Sequence, residues 1–257
     1  MTMAPTLAGR LARRETSFAA WCGFPEPLVG EACARAGFDA VVLDMQHGQI
    51  DTAAAVRAVL PIRAVGKPVV VRIPVGAYET ASRMLDAGAE AIIAPMINSV
   101  ADARAFAAAA KYLPVGGRSW GPTRAVQVFG LAAPDYLARA NAETVTLAMI
   151  ETRAALALTD EILAVDGIDG VFLGPSDLSL SLSDGAAVDV DSPETVAAIS
   201  RVAAAAHAAG KAAAIYATTP AHARRYAALG FGLVSIASDG GYLTAGARLM
   251  LDAARGG

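Results

Sequence analysis

Short, almost wholly apolar runs alternate along the chain with longer alanine-rich segments. Eight runs read as strands: Ser17–Trp21, Ala40–Leu43, Pro68–Ile73, Ala91–Ala94, Val145–Ile150, Gly170–Leu173, Ala212–Tyr216 and Leu233–Ile236. An unbroken apolar run predicts a parallel strand covered on both faces. The segments between them predict helices, most clearly at Asp51–Ala64, Tyr78–Ala87, Val100–Tyr112, Arg153–Ala164, Pro193–Ala209 and Pro220–Ala228. Punctuation agrees. Gly37, Gly88, Gly167 and Gly230 fall just past helical segments and just before strands, where the left-handed conformation that ends helices is needed. Asp51-Thr52, Asp191-Ser192 and Thr218-Thr219-Pro220 stand where helix N-caps belong.

Eight such units in 257 residues match the size of a (β/α)8 barrel. An open doubly wound sheet is the alternative, but it calls for a glycine-rich phosphate loop after an early strand. Neither G-x-G-x-x-G nor G-x-x-x-x-G-K-[ST] occurs. Gly116–Leu131 is long and rich in Gly and Pro, so it reads as a functional loop rather than a connector. No linker, low-complexity tail or composition break divides the chain, and residues 1–257 read as one domain.

Composition narrows the class. There are 21 Lys and Arg against 24 Asp and Glu, a net charge of −3, with no basic run. That argues against a nucleic-acid surface. The apolar runs fall far short of the ~20 residues of a membrane span. Met1–Glu15 contains arginines but no apolar signal core. Cys22 and Cys33 cannot staple a fold of this size and read as reduced thiols of a cytoplasmic protein.

In a (β/α)8 barrel, chemistry sits at the C-terminal ends of the strands. Those ends present Trp21, then Asp44 and His47, then Arg72, Pro95-Met96, Glu151, Ser176-Asp177, Tyr216 and Ser238-Asp239-Gly240-Gly241. Each has a plain structural alternative. Glu151 suits a helix first turn, Asp177 a cap, His47 a loop, Arg72 a neighbouring acid and Trp21 the core. As a set they suggest more, because charge at buried strand ends needs a partner or a metal. Two carboxylates without a Cys/His cluster suit a hard ion such as Mg2+ or Mn2+. Arg72 would offer a planar fork to a substrate carboxylate. His47 would move a proton near neutral pH, with Asp44 orienting it or a water. Lys67, Lys111 and Lys211 all lie away from these ends, so a site built this way would stabilise a developing charge with a metal and not an imine. Residues 236–242 read either as a small anion site at the last helix or as an ordinary N-cap.

The segments LDMQHG (43–48), VVVRIP (69–74), MLDAGAEAIIAPMI (84–97), GGRSWGPTRA (116–125), MIET (149–152) and FLGPSDLSLSL (172–182) resemble the HpcH/HpaI aldolase family, in order and over nearly the whole chain. The resemblance implies a TIM barrel of the phosphoenolpyruvate/pyruvate type. It implies a homo-hexamer built as a dimer of trimers, with the last helix exchanged between subunits. By the family match, Glu151 and Asp177 bind a divalent metal, Mg2+ or Mn2+, with Co2+ a further candidate. Arg72 binds the carboxylate of a 2-oxo acid, and His47 acts through water as acid and base beside Asp44. Trp21 lines the site, Ser176 offers a backbone N–H, and Asp86 reaches a neighbouring subunit's site. Arg118 and Arg124 would meet an anionic substrate.

The activity implied is cleavage and formation of 4-hydroxy-2-oxo acids, with pyruvate or hydroxypyruvate as donor and an aldehyde as acceptor. A carbon–carbon lyase of acyl-CoA thioesters, like the citrate lyase β-subunit, is an alternative, as is a non-catalytic barrel that binds oxo acids. One departure stands out: Met149 occupies a position where many relatives carry Gln.

Overall fold

All eight apolar runs form strands, and they pair in parallel, in chain order, into a closed barrel. The computed structural model describes residues 6–256. The first half comprises α1 (Leu7–Ala12), β1 (Ser17–Cys22), α2 (Pro27–Arg35), β2 (Ala40–Asp44), α3 (Thr52–Ala64), β3 (Val69–Arg72), α4 (Tyr78–Ala87), β4 (Ala91–Ala94) and α5 (Val100–Ala110). After it come α6 (Thr123–Phe129), α7 (Ala133–Glu143), β5 (Val145–Ile150), α8 (Arg153–Ala157), α9 (Thr159–Leu163), β6 (Gly170–Leu173) and α10 (Pro175–Leu182). The chain closes with α11 (Pro193–Ala208), β7 (Ala212–Ala217), α12 (Pro220–Ala228), β8 (Leu233–Ile236) and α13 (Asp239–Arg255). Met1–Glu15, read from sequence as lacking a signal core, is described only from Thr6 onward.

The period-two pleat divides each strand between two cores. Trp21, Val42, Val70, Ile93, Leu147, Met149, Phe172, Ala214 and Leu233 pack inside the barrel. Their neighbours Ala20, Val41, Val71, Ile92, Ile150, Val171, Ile215 and Val234 join helix residues in an outer core. Both faces are therefore apolar, which is why no strand alternates in sequence. Helix α1 closes the N-terminal mouth: Leu7 is fully buried against the inner layer, and its N–H donates to Glu90 Oε2 at 2.9 Å.

The four punctuating glycines do adopt positive φ: 110° at Gly37, 111° at Gly88, 85° at Gly167 and 87° at Gly230. Side chains of Asp51, Ser192 and Thr219 cap α3, α11 and α12. Two helices depart from the sequence reading. Arg153–Ala164 is broken at Leu158, where the Thr159 hydroxyl takes the Leu156 carbonyl at 3.0 Å and competes with the backbone ladder. The helix expected over Val100–Tyr112 ends at Ala110, because Lys111 turns extended. Its ammonium reaches the Asn141 and Thr144 carbonyls at 2.8 and 2.6 Å and Asp169 at 2.7 Å.

The stretch Gly116–Leu131 is only partly loop. It contains α6, and Ala125 packs with Tyr112, Tyr136 and Ala140 in a satellite core. Cys22 and Cys33 are both free thiols. No helix among the described residues is long and apolar enough to cross a membrane.

Candidate active site

The C-terminal mouth of the barrel holds a cavity of about 440 Å3. Strand periodicity explains who reaches it. Trp21, Asp44, Arg72 and Met149 continue the inward-facing rows of β1, β2, β3 and β5, and Tyr216 does so on β7. Of the candidate binding and catalytic residues, Trp21, Asp44, His47, Arg72, Ser176 and Asp177 border the cavity, as do Tyr216, Ser238, Asp239 and Gly240 from the other strand ends. Glu151 follows β5 directly and is 1% exposed, beneath Gly174; a Cβ on that glycine would stand 3.0 Å from Glu151 Oε2 and 2.6 Å from Met149 Cε.

Asp44 and Arg72 lie opposite each other on β2 and β3 and form a two-point ion pair, Nε to Oδ1 at 2.8 Å and Nη2 to Oδ2 at 2.7 Å. Asp44 Oδ1 also accepts the N–H groups of Gln46 and His47, at 3.0 and 3.3 Å, and Oδ2 accepts the Trp21 indole N–H at 3.2 Å. The Arg72 guanidinium stacks on Trp21, 4.7 Å from the ring centroid. Burial pushes the Asp44 carboxyl up, but the Arg72 contacts and the loop N–H groups outweigh it and hold it below its ordinary value. Two readings are refined here. The edge of Arg72 expected to fork a substrate carboxylate is engaged by Asp44, leaving the rest of the guanidinium for a ligand. Asp44 in turn fixes His47 through the backbone of its loop.

Glu151 has the opposite balance. Burial raises its carboxyl to about 7, with Asp177 adding to the shift, against the Met96 N–H at 2.6 Å and the field of Arg72. Met96 holds a left-handed φ of 54°, a conformation a non-glycine residue adopts at a cost. A buried carboxylate with one N–H partner, next to a second carboxylate, is an electrostatic deficit that a cation corrects. The donor set fits a hard divalent ion, since it is all oxygen. Among the described residues no group of three or more His, Cys, Asp or Glu could hold a metal alone. Water and a chelating substrate would have to complete the shell.

Three further candidates lie outside the cavity of their own chain, and for Asp86 the expectation is a neighbouring subunit's site. Asp86 is outside the cavity of its own chain and pairs with Arg118 at 2.6 Å. Arg118 does not reach the cavity of its own chain: its side chain is fully buried, 4.5 Å over the Tyr112 ring, so the loop wraps it inward. Arg124 is an α6 residue bonded to Gln127. At residues 236–242 the structure decides for the cap. Ser238 Oγ accepts the Gly241 N–H, and the anion at this helix start is the chain's own Asp239 carboxylate. No lysine borders the cavity among the described residues, which fits the metal reading and gives the thioester reading no grip on nucleotide phosphates. Tyr216 was visible as a strand end but not singled out; it stands edge-on to Trp21, ring centroids 5.1 Å apart.

Such a mouth is that of a barrel enzyme acting on small, oxygen-rich anions. Residues 18–245 match the HpcH/HpaI aldolase/citrate lyase family, and the chain belongs to it. It is 45% identical over 239 residues to a hydroxypyruvate/pyruvate aldolase of Rhizorhabdus wittichii, across 93% of this chain and 94% of the relative. A 5-keto-4-deoxy-D-glucarate aldolase of Klebsiella pneumoniae is 32% identical, across 95% and 94% of the two chains. The crystal structure of an HpcH/HpaI aldolase/citrate lyase family protein from Burkholderia cenocepacia J2315 superposes with a TM-score of 0.86 at 32% identity, covering 98% of this chain and 100% of that one.

Proposed function

We propose that this protein is a divalent-metal-dependent aldolase, a carbon–carbon lyase that cleaves and forms 4-hydroxy-2-oxo acids with pyruvate or hydroxypyruvate as donor and an aldehyde as acceptor. The observation that carries this reading is the convergence of Glu151 and Asp177 with the Asp44–Arg72 pair and His47 at one mouth of the barrel. The likeness to named hydroxypyruvate/pyruvate aldolases supports it.

Glu151 and Asp177 would hold the ion, Mg2+ or Mn2+ with Co2+ a further candidate, and when bound it supplies Lewis-acid stabilisation of the enolate oxygen. Arg72, held flat on Trp21 by Asp44, offers its remaining N–H groups to the donor carboxylate. Helix α10 has no capping side chain, so the Ser176 N–H is free to meet the same carboxylate. In cleavage His47 takes the proton of the 4-hydroxyl, directly or through water. The C3–C4 bond breaks, its electron pair passes into the enolate, and the aldehyde leaves. Protonation of the enolate carbon then yields the 2-oxo acid. In the synthetic direction His47 returns the proton to the new hydroxyl. Met149 contributes an apolar floor where Gln would hydrogen-bond.

The same reading includes assembly and setting. The exposed Leu243, Leu249, Met250 and Leu251 of α13 support exchange of this helix between subunits of a homo-hexamer. Asp86, half-exposed and outside its own cavity, would serve a neighbour's site. Two free thiols suit a cytoplasmic setting.

Exchange of deuterium into the methyl group of pyruvate, followed by NMR without any aldehyde, tests the donor half-reaction. Exchange with Mg2+ or Mn2+ that stops with EDTA is expected. No exchange with any divalent metal, or exchange that survives EDTA, overturns the reading.

A further inference from the structure

Asp239 is buried to 6% exposure at the first turn of α13, on the rim of the cavity, and carries no part of the chemistry above. Its Oδ2 accepts the N–H groups of Gly23 and Phe24, at 2.9 and 2.8 Å, and its Oδ1 accepts that of Gly240 at 2.9 Å. One carboxylate thus fastens the loop after β1 to the start of the last helix. That loop is fastened in turn to the loop after β2, which carries His47. The Gly23 carbonyl accepts the Gln49 N–H at 2.7 Å. Gly48 lies so close beneath it that a Cβ would stand 2.8 Å from Gly23 Cα and 2.3 Å from the Asp44 carbonyl oxygen. Among the described residues His47 has no side-chain hydrogen bond, and its backbone is held from one side only, by Asp44 Oδ1. The other side of its loop rests on Gly23, and Gly23 rests on Asp239.

From this chain of contacts we infer that Asp239 is a positioning residue for His47, acting through Gly23 and the Gly48-Gln49 turn. The inference rests on the aldolase reading of the site. A charged acceptor is suited to the task, because hydrogen bonds to an ionised oxygen are short and strong, and three N–H donors converge on it. The acids Glu151 and Asp177, and Arg72, stand on other elements, so the positioning is confined to the proton-transfer side of the cavity.

Two reactions separate this from a general structural role. Pyruvate deuterium exchange needs a base beside the donor methyl group. Decarboxylation of oxaloacetate breaks a carbon–carbon bond to carbon dioxide and reaches the same enolate without removing a proton. In Asp239→Asn the charge is lost and one amide oxygen replaces two acceptors, so the NH2 must oppose either the Gly240 donor or the Gly23 and Phe24 donors, and all three N–H groups can no longer be held at once. Exchange should then fall by about tenfold or more relative to decarboxylation, and the pH profile of exchange should change its shape. Asp239→Glu, which restores the charge, should recover part of the ratio. If Asp239→Asn fails to fold, Asp239→Ser, whose hydroxyl can accept fewer of the three N–H groups, should shift the ratio in the same direction. Parallel loss of both reactions, or no loss of either, overturns the inference while leaving the aldolase reading standing. A wild-type protein inactive in both reactions with every divalent metal overturns both.

Discussion

Asp44 and Arg72 face each other across neighbouring parallel strands, and their side chains close a two-point ion pair that also receives the Trp21 indole N–H. The pair is nearly buried, at 4% and 6% exposure, so each charge depends on the other. Removing one partner of such a pair typically costs about 3–5 kcal/mol, because the survivor is left charged and unpaired. Asp44→Ala should therefore lower Tm markedly. It should also cut kcat/KM by about a hundredfold, the scale expected when a binding group is displaced by an ångström. Asp44→Ala combined with Arg72→Met should regain part of the Tm and none of the activity. Full recovery of activity in the double variant would show that Arg72 does not touch substrate.

The two buried carboxylates of the site predict opposite pH dependences. Glu151 is raised in the folded chain to about 7, so between its unfolded value and about 7 the folded state holds a proton that the unfolded state has released. Stability from this group is full at low pH and is lost as pH rises through that window, by about 3 kcal/mol in all. Asp44 is lowered, so its contribution is present above the unfolded carboxylate value and is lost as acid protonates the folded pair. Metal-free protein in EDTA should therefore lose Tm from about pH 5 to pH 7, a slope that Glu151→Gln removes. Mg2+ should restore the loss at neutral pH, since the ion replaces the proton. A metal-free protein whose Tm follows that of Glu151→Gln across the window would contradict the burial of this acid.

Much of this architecture is legible in the sequence. The four strands Ala91–Ala94, Val145–Ile150, Gly170–Leu173 and Leu233–Ile236 fall where their apolar runs do, because both faces of a parallel barrel strand are covered. The site acids and arginine are legible for a related reason: Asp44 and Glu151 directly follow apolar runs, and Arg72 interrupts one near its end. What was not legible depends on register and on loop paths. Sequence shows that Asp44 and Arg72 end adjacent strands, but only the strand register sets them opposite each other. Arg118 looked like a substrate contact because a Gly- and Pro-rich loop is ordinarily exposed; here aromatic residues Tyr112 and Tyr136 give the loop its own small core and draw the arginine in. Asp239 is legible as a strand-end residue in a stretch that suits an anion site or a cap, but its role as a fastener is not, since its donors Gly23 and Phe24 lie more than two hundred positions earlier.

Gly174 forms part of the roof over Glu151, and the space above it is already full. A methyl group there would meet Met149 Cε at 2.6 Å and Glu151 Oε2 at 3.0 Å. The Met149 end is flexible and can yield, whereas the carboxylate is held by Met96. Gly174→Ala should leave the barrel folded but displace Glu151, weakening Mg2+ binding by about 10–100-fold, the range found when groups that orient metal ligands are lost. Isothermal titration with Mn2+ reads this directly. Unchanged affinity would place the metal away from Glu151.

Lys111 tests the distinction between the two mouths. Its ammonium is buried to 1% exposure and anchors α7 and the entry to β5 through the Asn141 and Thr144 carbonyls. Burial lowers its pKa, with Asp169 opposing. Lys111→Met keeps the length of the side chain but leaves the Asn141 and Thr144 carbonyls without their donor, while Asp169 keeps the Thr146 N–H and hydroxyl, so a loss of about 2–3 kcal/mol is expected. The folded variant should exchange pyruvate deuterons at the wild-type rate. A large fall in exchange by fully folded protein would mean that the N-terminal mouth takes part in the chemistry.

The last helix carries the assembly reading to a measurement. In α13 only Asp239 is buried, while Leu243, Leu249, Met250 and Leu251 are 67%, 70%, 73% and 48% exposed. Leu243 and Met250 are seven residues apart and share a face, as in a helix that packs against a partner. We read this run of exposed apolar side chains on one element as a surface suited to a partner subunit. The wild-type protein should elute as a hexamer by light scattering, and Leu249→Asp with Met250→Asp should reduce it to smaller species. Because α13 begins at Asp239 and Asp239 holds the Gly23 loop, the smaller species should also lose pyruvate exchange, even at metal concentrations that saturate the site. A wild-type monomer with full exchange would sink the assembly reading, and dissociation without loss of exchange would separate assembly from the site.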